Sequence, residues 1–221
     1  YKEKKDIAYL YDDVKMNKED INLTCDSITF FSKNNKLEST GSPIIQDAEY
    51  RLTANKLIYF TDLDSGIAVG NVELLQNNQR IKADKIEYRK KSNAVSYLAT
   101  GNVKIIDSLR TATCGLASYD ASNGKTILNL KPKIINEDRV INGDQIILNY
   151  DDDVLKKIFI PKNANISSIS EGYDQANNDS LKTILNFDDR MNGKSLNGFF
   201  IDGDLDSLRL VGMASTTYHI F

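Results

Sequence analysis

One unit of sequence recurs along this chain, and the recurrence limits the possible folds more than any local motif does. Two consecutive copies lie within residues 52–107, as LTANKLIYFTDLDSGIAVGNVELLQN and IKADKIEYRKKSNAVSYLATGNVKIID. Each copy begins with a small residue followed by Asn or Asp, continues into an alternating run that ends in Tyr, and closes with Gly-Asn-Val. The fold therefore has to repeat one local structure.

The same frame extends over most of the chain. Its Asn or Asp position recurs at steps of 29, 29, 31 and 29 residues. That position is occupied by Asp26, Asn55, Asp84, Gly115 and Asp144. An incomplete copy at 12–16 precedes these units, and a divergent copy follows in 194–199 and 208–214.

Apolar side chains alternate with mixed ones after the Asn or Asp position and again after the closing Gly. This period of two predicts strands with one inward face. The residues predicted to face inward are Ile28, Phe30, Leu57, Tyr59, Val72, Leu74, Ile86, Tyr88, Val103, Ile105, Tyr119, Ile146 and Leu148.

Composition agrees with an all-β protein. The 221 residues include 11 Tyr and 8 Phe but no Trp, and Val, Ile and Thr are frequent in the alternating runs, as strands favour. The sequence contains no run of about 18 apolar residues, the length that would predict a membrane-spanning helix. The chain begins at Tyr1 without a signal peptide, and we expect that an export segment has been removed. The formal net charge of -3 provides no basic field, which argues against a nucleic-acid partner.

Turn residues separate the alternating runs at regular places. Asn, Asp and Gly, which tolerate positive φ, occur at 32–35, 62–66, 90–93 and 121–124. Pro43, Pro132 and Pro161 fall near the position of the closing Gly, where we expect each strand to bend from one sheet into the other. The predicted fold class is all-β, an antiparallel β-jelly-roll whose two facing sheets form an open sleeve.

One segment interrupts the pattern. Residues 167–190 are polar and show no alternation over most of their length, so we expect an insert that forms loops or a short helix around Asp179 to Leu185. The predicted organisation is β-jelly-roll repeats over 1–166, the polar insert over 167–190, and a final divergent repeat of the same domain over 191–221.

Residues with catalytic or metal-binding chemistry are few. His219 is the only histidine, so a His-based dyad or metal site lacks a second histidine in this chain. The acidic run 151–153 lacks the spaced ligands and Gly of a calcium loop, and the basic run 89–91 lies at a turn. Both are expected to be solvated. The sequence therefore predicts no catalytic residue, no metal site and no cofactor.

The two cysteines occupy the same small position in different units. Cys25 and Cys114 are three units apart, which corresponds to at least about 14 Å when neighbouring strands are about 4.8 Å apart. A disulfide requires Cα atoms within about 7 Å. We therefore expect two buried thiols that fill small positions.

The motif also resembles a known family. The runs Ala83-Asp84-Lys85-Ile86-Glu87-Tyr88 and Gly101-Asn102-Val103 are similar to the OstA-like family of lipopolysaccharide-transport proteins, which includes a periplasmic bridge protein and the N-terminal domain of the outer-membrane assembly protein. The resemblance covers roughly residues 7–166 and 191–221, and the last part resembles OstA-like proteins of the Bacteroidota type in particular. Units four and five depart from the motif, with Gly115 in the acidic position and no Gly-Asn-Val.

The resemblance implies a non-catalytic protein that binds lipopolysaccharide and carries it toward the outer membrane. The acyl chains of lipid A would lie in an apolar groove between the sheets, lined by the inward-facing residues given above, while the sugars stay in solvent. The implied location is the periplasm, with association with the outer membrane as a further expectation.

The end of the chain indicates how such proteins join. Residues 216–221 are strand-forming and contain neither Pro nor Lys, the residues that protect a sheet edge. We expect this edge to pair with another β-jelly-roll transport protein by strand addition, or with a second copy head to tail. A strand whose natural neighbour belongs to a longer protein explains the same feature.

Two other classes of function remain open. The inward set fits a closed, dry core equally well, and the chain would then be a structural β-repeat module of a surface or adhesion protein. A β-repeat enzyme acting on carbohydrate would need carboxylates grouped on an outer face. The outer positions do not form such a group: they are Thr29, Ile58, Glu87, Ser118 and Ile147.

Overall fold

The computed structural model describes residues 2–4, 6–18, 21–48, 50–76, 79–91, 94–136, 139–152, 154–173, 184–201 and 204–217. Within these ranges the chain is almost entirely β-strand, and its helical segments are two single 3-10 turns, Ser32–Asn34 and Ala121–Asn123. The described strand pairings are all antiparallel. The predicted all-β antiparallel class is confirmed.

The strands follow one another in the chain with short connections. They are β1 (Lys2–Lys4), β2 (Ile7–Lys18), β3 (Ile21–Phe31), β4 (Lys36–Thr40), β5 (Ile44–Gln46), β6 (Tyr50–Thr53), β7 (Lys56–Phe60), β8 (Ser65–Gln76), β9 (Gln79–Lys91), β10 (Ala94–Ile106), β11 (Arg110–Asp120), β12 (Lys125–Asn129), β13 (Lys133–Asn136), β14 (Arg139–Asn142), β15 (Gln145–Asp151), β16 (Val154–Ile160), β17 (Ala164–Tyr173), β18 (Ile184–Gly193), β19 (Ser195–Ile201), β20 (Asp204–Val211) and β21 (Ser215–Thr217).

The strands build two sheets, because each passage of the chain bends in its middle. β8 pairs with β7 through residues 65–69 and with β6 through residues 73–76. Its register with β9 shifts between Val69 and Val72, which marks the bend. The first sheet contains β4, β7, β12, β15, β16, β19 and β20, and the second contains β5, β6, β13, β14, β17, β18 and β21. The long strands β2, β3 and β8 to β11 contribute one half to each sheet.

The bends form corners that lie beside one another, on what we call the corner side. Where the chain passes from the first sheet to the second, two successive residues have positive φ, at 12–13, 41–42, 70–71, 101–102, 130–131 and 212–213. Where it returns, the corner is the Asn or Asp position of the repeat. Backbone hydrogen bonds join neighbouring corners, as when the Asn55 N–H donates to the Gly70 carbonyl at 2.8 Å.

The prolines lie where the sequence predicted a bend. Pro43 and Pro132 are buried at the breaks between β4 and β5 and between β12 and β13, and Pro161 lies between β16 and β17. A residue without an N–H suits a position where the ladder is interrupted. The predicted corner at the prolines is confirmed.

Contact between neighbouring corners explains the sequence motif. Gly101 has a φ of +72°, and a Cβ at this residue would lie 2.2 Å from the Asp84 carboxylate oxygen. The side-chain amide of Asn102 donates a hydrogen bond of 2.9 Å to the same carboxylate. Only glycine, which has no Cβ, adopts this φ without strain and also fits against the Asp84 carboxylate. The Asp of one passage of the chain and the Gly-Asn of the next therefore pack together in one corner.

The fourth corner exchanges these roles. Gly115 stands in the Asp position, and Leu130, with a φ of +61°, stands where other units have the closing Gly. A Cβ on Gly115 would lie 2.9 Å from the Leu130 Cβ, so the missing side chain makes room for the leucine. The Gly115 N–H still donates to the Leu130 carbonyl at 3.0 Å. The departure from the motif therefore preserves the corner.

Turns connect the strands at the edge opposite the corners, which we call the turn side. Asn35, at φ +49°, and Gly124, at φ +51°, close the two turns that contain 3-10 helices, and Asp64 also has positive φ. The predicted turns at 32–35, 62–66 and 121–124 are confirmed. Of the fourth predicted turn, residues 92–93 lie outside the described ranges.

The core lies between the two sheets. Leu128 of the first sheet and Ile134 of the second are both almost inaccessible to solvent and belong to one cluster, which extends from Ala54 to Phe200. A smaller cluster under β2 to β4 contains Val14, Cys25, Ile28 and Leu37, and the half-buried Leu23 packs against both. The apolar interior is therefore continuous along the molecule.

The cysteines are buried free thiols, as predicted. Cys25 belongs to the smaller cluster and Cys114 to the larger one. Burial raises the pKa of both thiols. Each occupies the small position of the repeat beside a corner.

The prediction of loops over 167–190 is wrong for the residues that the structure describes there. β17 and β18 pair with each other from Ala164 and Gly193 to Tyr173 and Ile184, so residues 167–173 and 184–190 continue the second sheet. The alternation is hidden because polar residues occupy inward positions, as with the buried Asp189. The helix expected around Asp179 falls largely on 174–183, outside the described residues. Asp153, His219 and the predicted edge strand beyond Thr217 also lie outside them.

Candidate functional site

Inward-facing side chains of the first sheet form an aromatic row near the turn side. Tyr88 is in register with Gly66 on one side and Tyr97 on the other, and Tyr97 is in register with Tyr119. The rings of Tyr97 and Tyr119 stack with 4.9 Å between centroids, a favourable geometry for aromatic pairs. Burial raises the pKa of the Tyr97 hydroxyl. The aromatic rim, as we call this edge, consists of Tyr59, Tyr88, Tyr97, Tyr119, Tyr150 and Phe200.

The second sheet carries polar inward residues at the same side. Arg110 lies on the face of β11 that carries the buried Ala112 and Cys114, since strand side chains alternate. Its register partner Asn136 is followed across the sheet by Arg139. The polar rim, as we call this edge, consists of Asp47, Gln79, Asp107, Arg110, Asn136 and Arg139.

The two rims touch each other around Tyr150. The side-chain amide of Gln79, from the second sheet, hydrogen-bonds the Tyr150 hydroxyl, and Arg110 and Asp107 lie close to it. Burial raises the pKa of Tyr150 to about 12, opposed in part by the positive charge of Arg110. The guanidinium carbon of Arg110 lies 5.7 Å from the centroid of the Phe200 ring, a cation–π distance.

A second contact between the sheets lies around Tyr50. The Tyr59 hydroxyl donates a hydrogen bond of 2.6 Å to Asp64, and Tyr50 of the second sheet lies near Asp64 and Tyr88. Burial raises the pKa of Tyr50 to about 12, and the negative charge of Asp47 adds to the shift. Burial and the bond to Asp64 also raise the pKa of Tyr59.

The sleeve is therefore closed differently on its two sides. On the corner side the chain itself joins the sheets, whereas at the rims side chains make the described contacts. No backbone pairing between the rims occurs among the described strands. Side chains of the two rims contact each other at Tyr150 and at Phe200, so the rims would have to separate there for a ligand to enter from the turn side.

The predicted inward residues all face the interior and are buried or half-buried. Their contact with lipid stays a prediction. Sequence reasoning missed interior residues on the second strand of each unit, where the chain returns. These are Ala68, Ala99, Leu128 and Ile160. The alternation of those strands could have identified them, but alanine is only weakly hydrophobic and does not stand out in an alternating pattern.

Strands near both ends of the stack expose apolar side chains. Leu10, Tyr11 and Met16 on β2 are exposed, as are Val211 on β20 and Met213 after it, the last at 98%. The inward Leu208 and Leu210 of β20 pack against the core but stay half-buried, because no described strand follows them in the first sheet. Both ends of the interior therefore have apolar margins.

A cavity of about 410 Å³ lies at the corner side, lined by Asp13, Val14, Lys15, Thr24, Cys25, Asp26, Gly41 and Ser42. No group of three or more His, Cys, Asp or Glu that could hold a metal occurs in the described residues. None of the described helices has the length and apolarity of a membrane span.

The structure defines a class of protein, the two-sheet antiparallel jelly-roll with an apolar interior. A family model described as OstA-like protein matches residues 1–144 of the 221, and the chain belongs to the OstA-like family. The resemblance that the motif indicated is confirmed over those residues, while the Bacteroidota type of residues 191–221 stays a prediction.

Comparison with curated proteins finds no match. Among solved structures, the chain is similar to that of LptH from Pseudomonas aeruginosa, titled the LptA homologous periplasmic component of the conserved lipopolysaccharide transport device. The two are 13% identical, the match covers 76% of this chain and 93% of that chain, and the TM-score is 0.28.

Proposed function

We propose that this protein is a non-catalytic lipid carrier of the periplasm, which binds the acyl chains of lipopolysaccharide in its interior and passes the lipid toward the outer membrane. The observation that carries the proposal is the continuous apolar interior, which runs from Leu23 to Leu210 between two sheets. Membership of the OstA-like family supports it.

The physical need for such an interior follows from the chemistry of the lipid. Each methylene exposed to water costs about 0.8 kcal/mol, so a chain of about twelve carbons costs about 9 kcal/mol. A protein that carries lipid through water lowers this cost by covering the chains with apolar side chains. The inward set predicted from the sequence, with Leu128 and Leu196 added, is such a covering.

Loading requires the interior to open along one side. The corner side is joined by backbone, whereas the rims meet through side-chain contacts such as Gln79 with Tyr150. Separation at the rims therefore breaks fewer strong contacts and leaves the sheets intact. Acyl chains would enter there and replace the contacts that the aromatic rim makes in the absence of lipid.

The exposed apolar margins support joining of jelly-rolls end to end. β20 pairs only with β19 among the described strands, and β21 only with β18, so each offers a free edge. Strand addition at these edges would continue the interior into another jelly-roll transport protein or a second copy. Met213→Asp, at a fully exposed position, is expected to weaken such association in light scattering without affecting folding.

The competing function is a structural β-repeat module with a dry core, which the apolar inward residues and the contacts between the rims fit equally well. Photo-crosslinking separates the two. A photoreactive residue replaces either Tyr88, inward, or Glu87, outward on the same strand, and the protein is irradiated with purified lipopolysaccharide. A gel shift at 88 and not at 87 is the expected result. Folded variants that give no crosslink at either position would overturn lipid transport in favour of the structural module.

A further inference from the structure

Arg110 is a largely buried cation of the polar rim, next to the apolar interior. It begins β11 just after the turn at 107–109, and its side chain, 15% exposed, points inward with Ala112 and Cys114. The ring of Phe200 and the side chain of Tyr150 approach it from the first sheet. Burying a charged group lowers the stability of the fold unless its hydrogen-bond donors are paired.

The contacts of Arg110 leave part of its guanidinium unused. Its Nε donates to Asp107 Oδ2 at 3.2 Å. Its Nη1 is buried and has no hydrogen-bond partner among the described residues. A guanidinium carries five N–H donors in one plane, so Nη1 could donate to a further acceptor once the rims separate.

Asp107 does not serve as that acceptor, because its carboxylate is already engaged. Asp107 Oδ1 accepts hydrogen bonds from the backbone N–H of Leu109 at 2.8 Å and of Arg110 at 2.7 Å, which order the turn. Its other oxygen pairs with the Arg110 Nε. The turn therefore holds the arginine in place, while its Nη1 has no partner among the described residues.

Further donors lie beside Arg110 along the polar rim. Asn136 is its register partner, and Arg139 is the register partner of Asn136, so two guanidinium groups flank one amide across three neighbouring strands. Arg139 is exposed at the margin, on the same face as the buried Ile141. Neighbouring strands are about 4.8 Å apart, which places the three side chains within reach of one headgroup.

We propose that Arg110, with Asn136 and Arg139, binds a phosphate monoester on the headgroup of an amphiphile whose acyl chains occupy the interior. A planar guanidinium matches the oxygens of a phosphate in a bidentate pair. The position at the boundary between interior and solvent lets one molecule place its phosphate on the rim and its chains inside. The inference rests on the proposed lipid-binding function and specifies the chemistry of the headgroup.

The test compares three probes on the full chain and on Arg110→Gln. Binding of dodecyl phosphate, dodecyl maltoside and inorganic phosphate is measured by calorimetry below the micelle concentration. Dodecyl phosphate is expected to bind the wild-type chain most tightly and to lose at least tenfold in affinity for Arg110→Gln, with dodecyl maltoside unchanged. Arg80→Gln, a half-exposed arginine paired with Glu73, is the matched control and is expected to change neither affinity.

Stability measurements keep the test decisive if Arg110→Gln folds poorly. Arg110→Lys keeps the charge but loses the planar fork, and is expected to bind dodecyl phosphate with intermediate affinity. Arg110→Met removes the unpaired donor and is expected to raise the melting temperature without ligand while lowering phosphate affinity. An arginine with a purely structural role would lower the melting temperature instead.

The remaining outcomes separate this inference from the proposed function. If Arg110→Gln loses equal affinity for both amphiphiles, or keeps its affinity for dodecyl phosphate, phosphate recognition is overturned and lipid binding stays intact. Inorganic phosphate that binds as tightly as dodecyl phosphate would identify a free-phosphate site and overturn the amphiphile. Failure of both amphiphiles to bind the wild-type chain would overturn lipid binding itself.

Discussion

The side-chain amide of Asn102 donates a hydrogen bond of 2.9 Å to the carboxylate of Asp84, across the corner where two passages of the chain bend side by side. The same arrangement recurs between Asn163 and Asp144, at 2.9 Å and 3.0 Å. These pairs lie at the surface, away from the interior. The Asp and Gly-Asn positions, by which the repeat is recognised in the sequence, therefore serve to bend the strands.

The first prediction concerns this corner. Gly101→Ala places a Cβ at a φ of +72° and against the Asp84 carboxylate, so it is expected to lower the free energy of unfolding by about 1–3 kcal/mol. Urea denaturation measures the change. Lys104→Ala, at an exposed position of the same strand, is the control and is expected to stay within about 0.5 kcal/mol of the wild-type chain.

A second substitution tests the cause. Asp84→Gly in the Gly101→Ala background reproduces the arrangement of Gly115 and Leu130 in the fourth corner. It removes the clash but not the cost of the positive φ, so partial recovery of stability is expected. A double variant no more stable than Gly101→Ala would show that contact with Asp84 is not the source of the loss.

The second prediction concerns packing in the interior. Leu128→Ala removes a side chain with no exposed surface and is expected to lower the free energy of unfolding by about 2–5 kcal/mol. Leu63→Ala, in an exposed turn, is the matched control and is expected to change it by less than about 0.5 kcal/mol. Equal, small effects in denaturant titrations would mean that the interior is not packed as described.

The third prediction is a loss of stability in alkali. Burial favours the neutral form of Tyr150 and raises its pKa to about 12 from the usual value of 10.0. The stabilisation that comes from keeping Tyr150 neutral is therefore fully present below pH 10 and is lost as the pH rises through about 12. In that window the free energy of unfolding is expected to fall by up to about 1.4 kcal/mol per pH unit for this tyrosine.

Denaturation at pH about 9 and about 11.5 measures this slope. Tyr150→Phe cannot ionise and is expected to give a shallower slope than the wild-type chain, although buried Tyr97 still contributes. Leu63→Ala, in an exposed turn, is the control whose slope is expected to equal that of the wild-type chain. A Tyr150→Phe slope as steep as that of the wild-type chain would place Tyr150 in solvent.

The fourth prediction tests loading through the rims. Gln79→Cys and Tyr150→Cys, in a background with Cys25→Ala and Cys114→Ala, place two thiols on opposite rims that a short bis-maleimide can join. Because the joined rims cannot separate, uptake of lipopolysaccharide is expected to fall at least tenfold in a co-purification assay.

The control for this experiment joins neighbours within one sheet. Glu73→Cys and Arg80→Cys replace a salt bridge of 3.2 Å on the outer face and leave the rims free, so full uptake is expected after crosslinking. Uptake that survives the lock between 79 and 150 would mean that lipid enters at the ends of the stack.

Much of the fold followed from local sequence. Alternation placed Leu57, Ile86 and Ile146 on an inward face, and the structure has them there, because a strand's two faces are fixed by its period. It failed at 167–173 and 184–190, where polar inward residues such as Asp189 remove the apolar signal although the backbone still pairs.

The candidate site was only half visible. The aromatic rim could be read from Tyr59, Tyr88 and Tyr119 because they recur at one position of the repeat. Arg110 carried no signal, since it lies outside the motif and its meaning depends on Phe200 and Tyr150, which are distant in sequence. The same holds for Leu130, whose unusual φ is tolerated because Gly115 lies beside it.

The sequence by itself determined that strands alternate, turn and bend at recurring places, because these properties depend on residues within a few positions of one another. It also indicated the OstA-like family. The tertiary structure alone decided that the rims meet, and that one guanidinium is buried with a donor that has no partner among the described residues. Those features depend on which strands of the two sheets face each other. A pattern along the sequence does not give the distances between residues that are far apart in the chain.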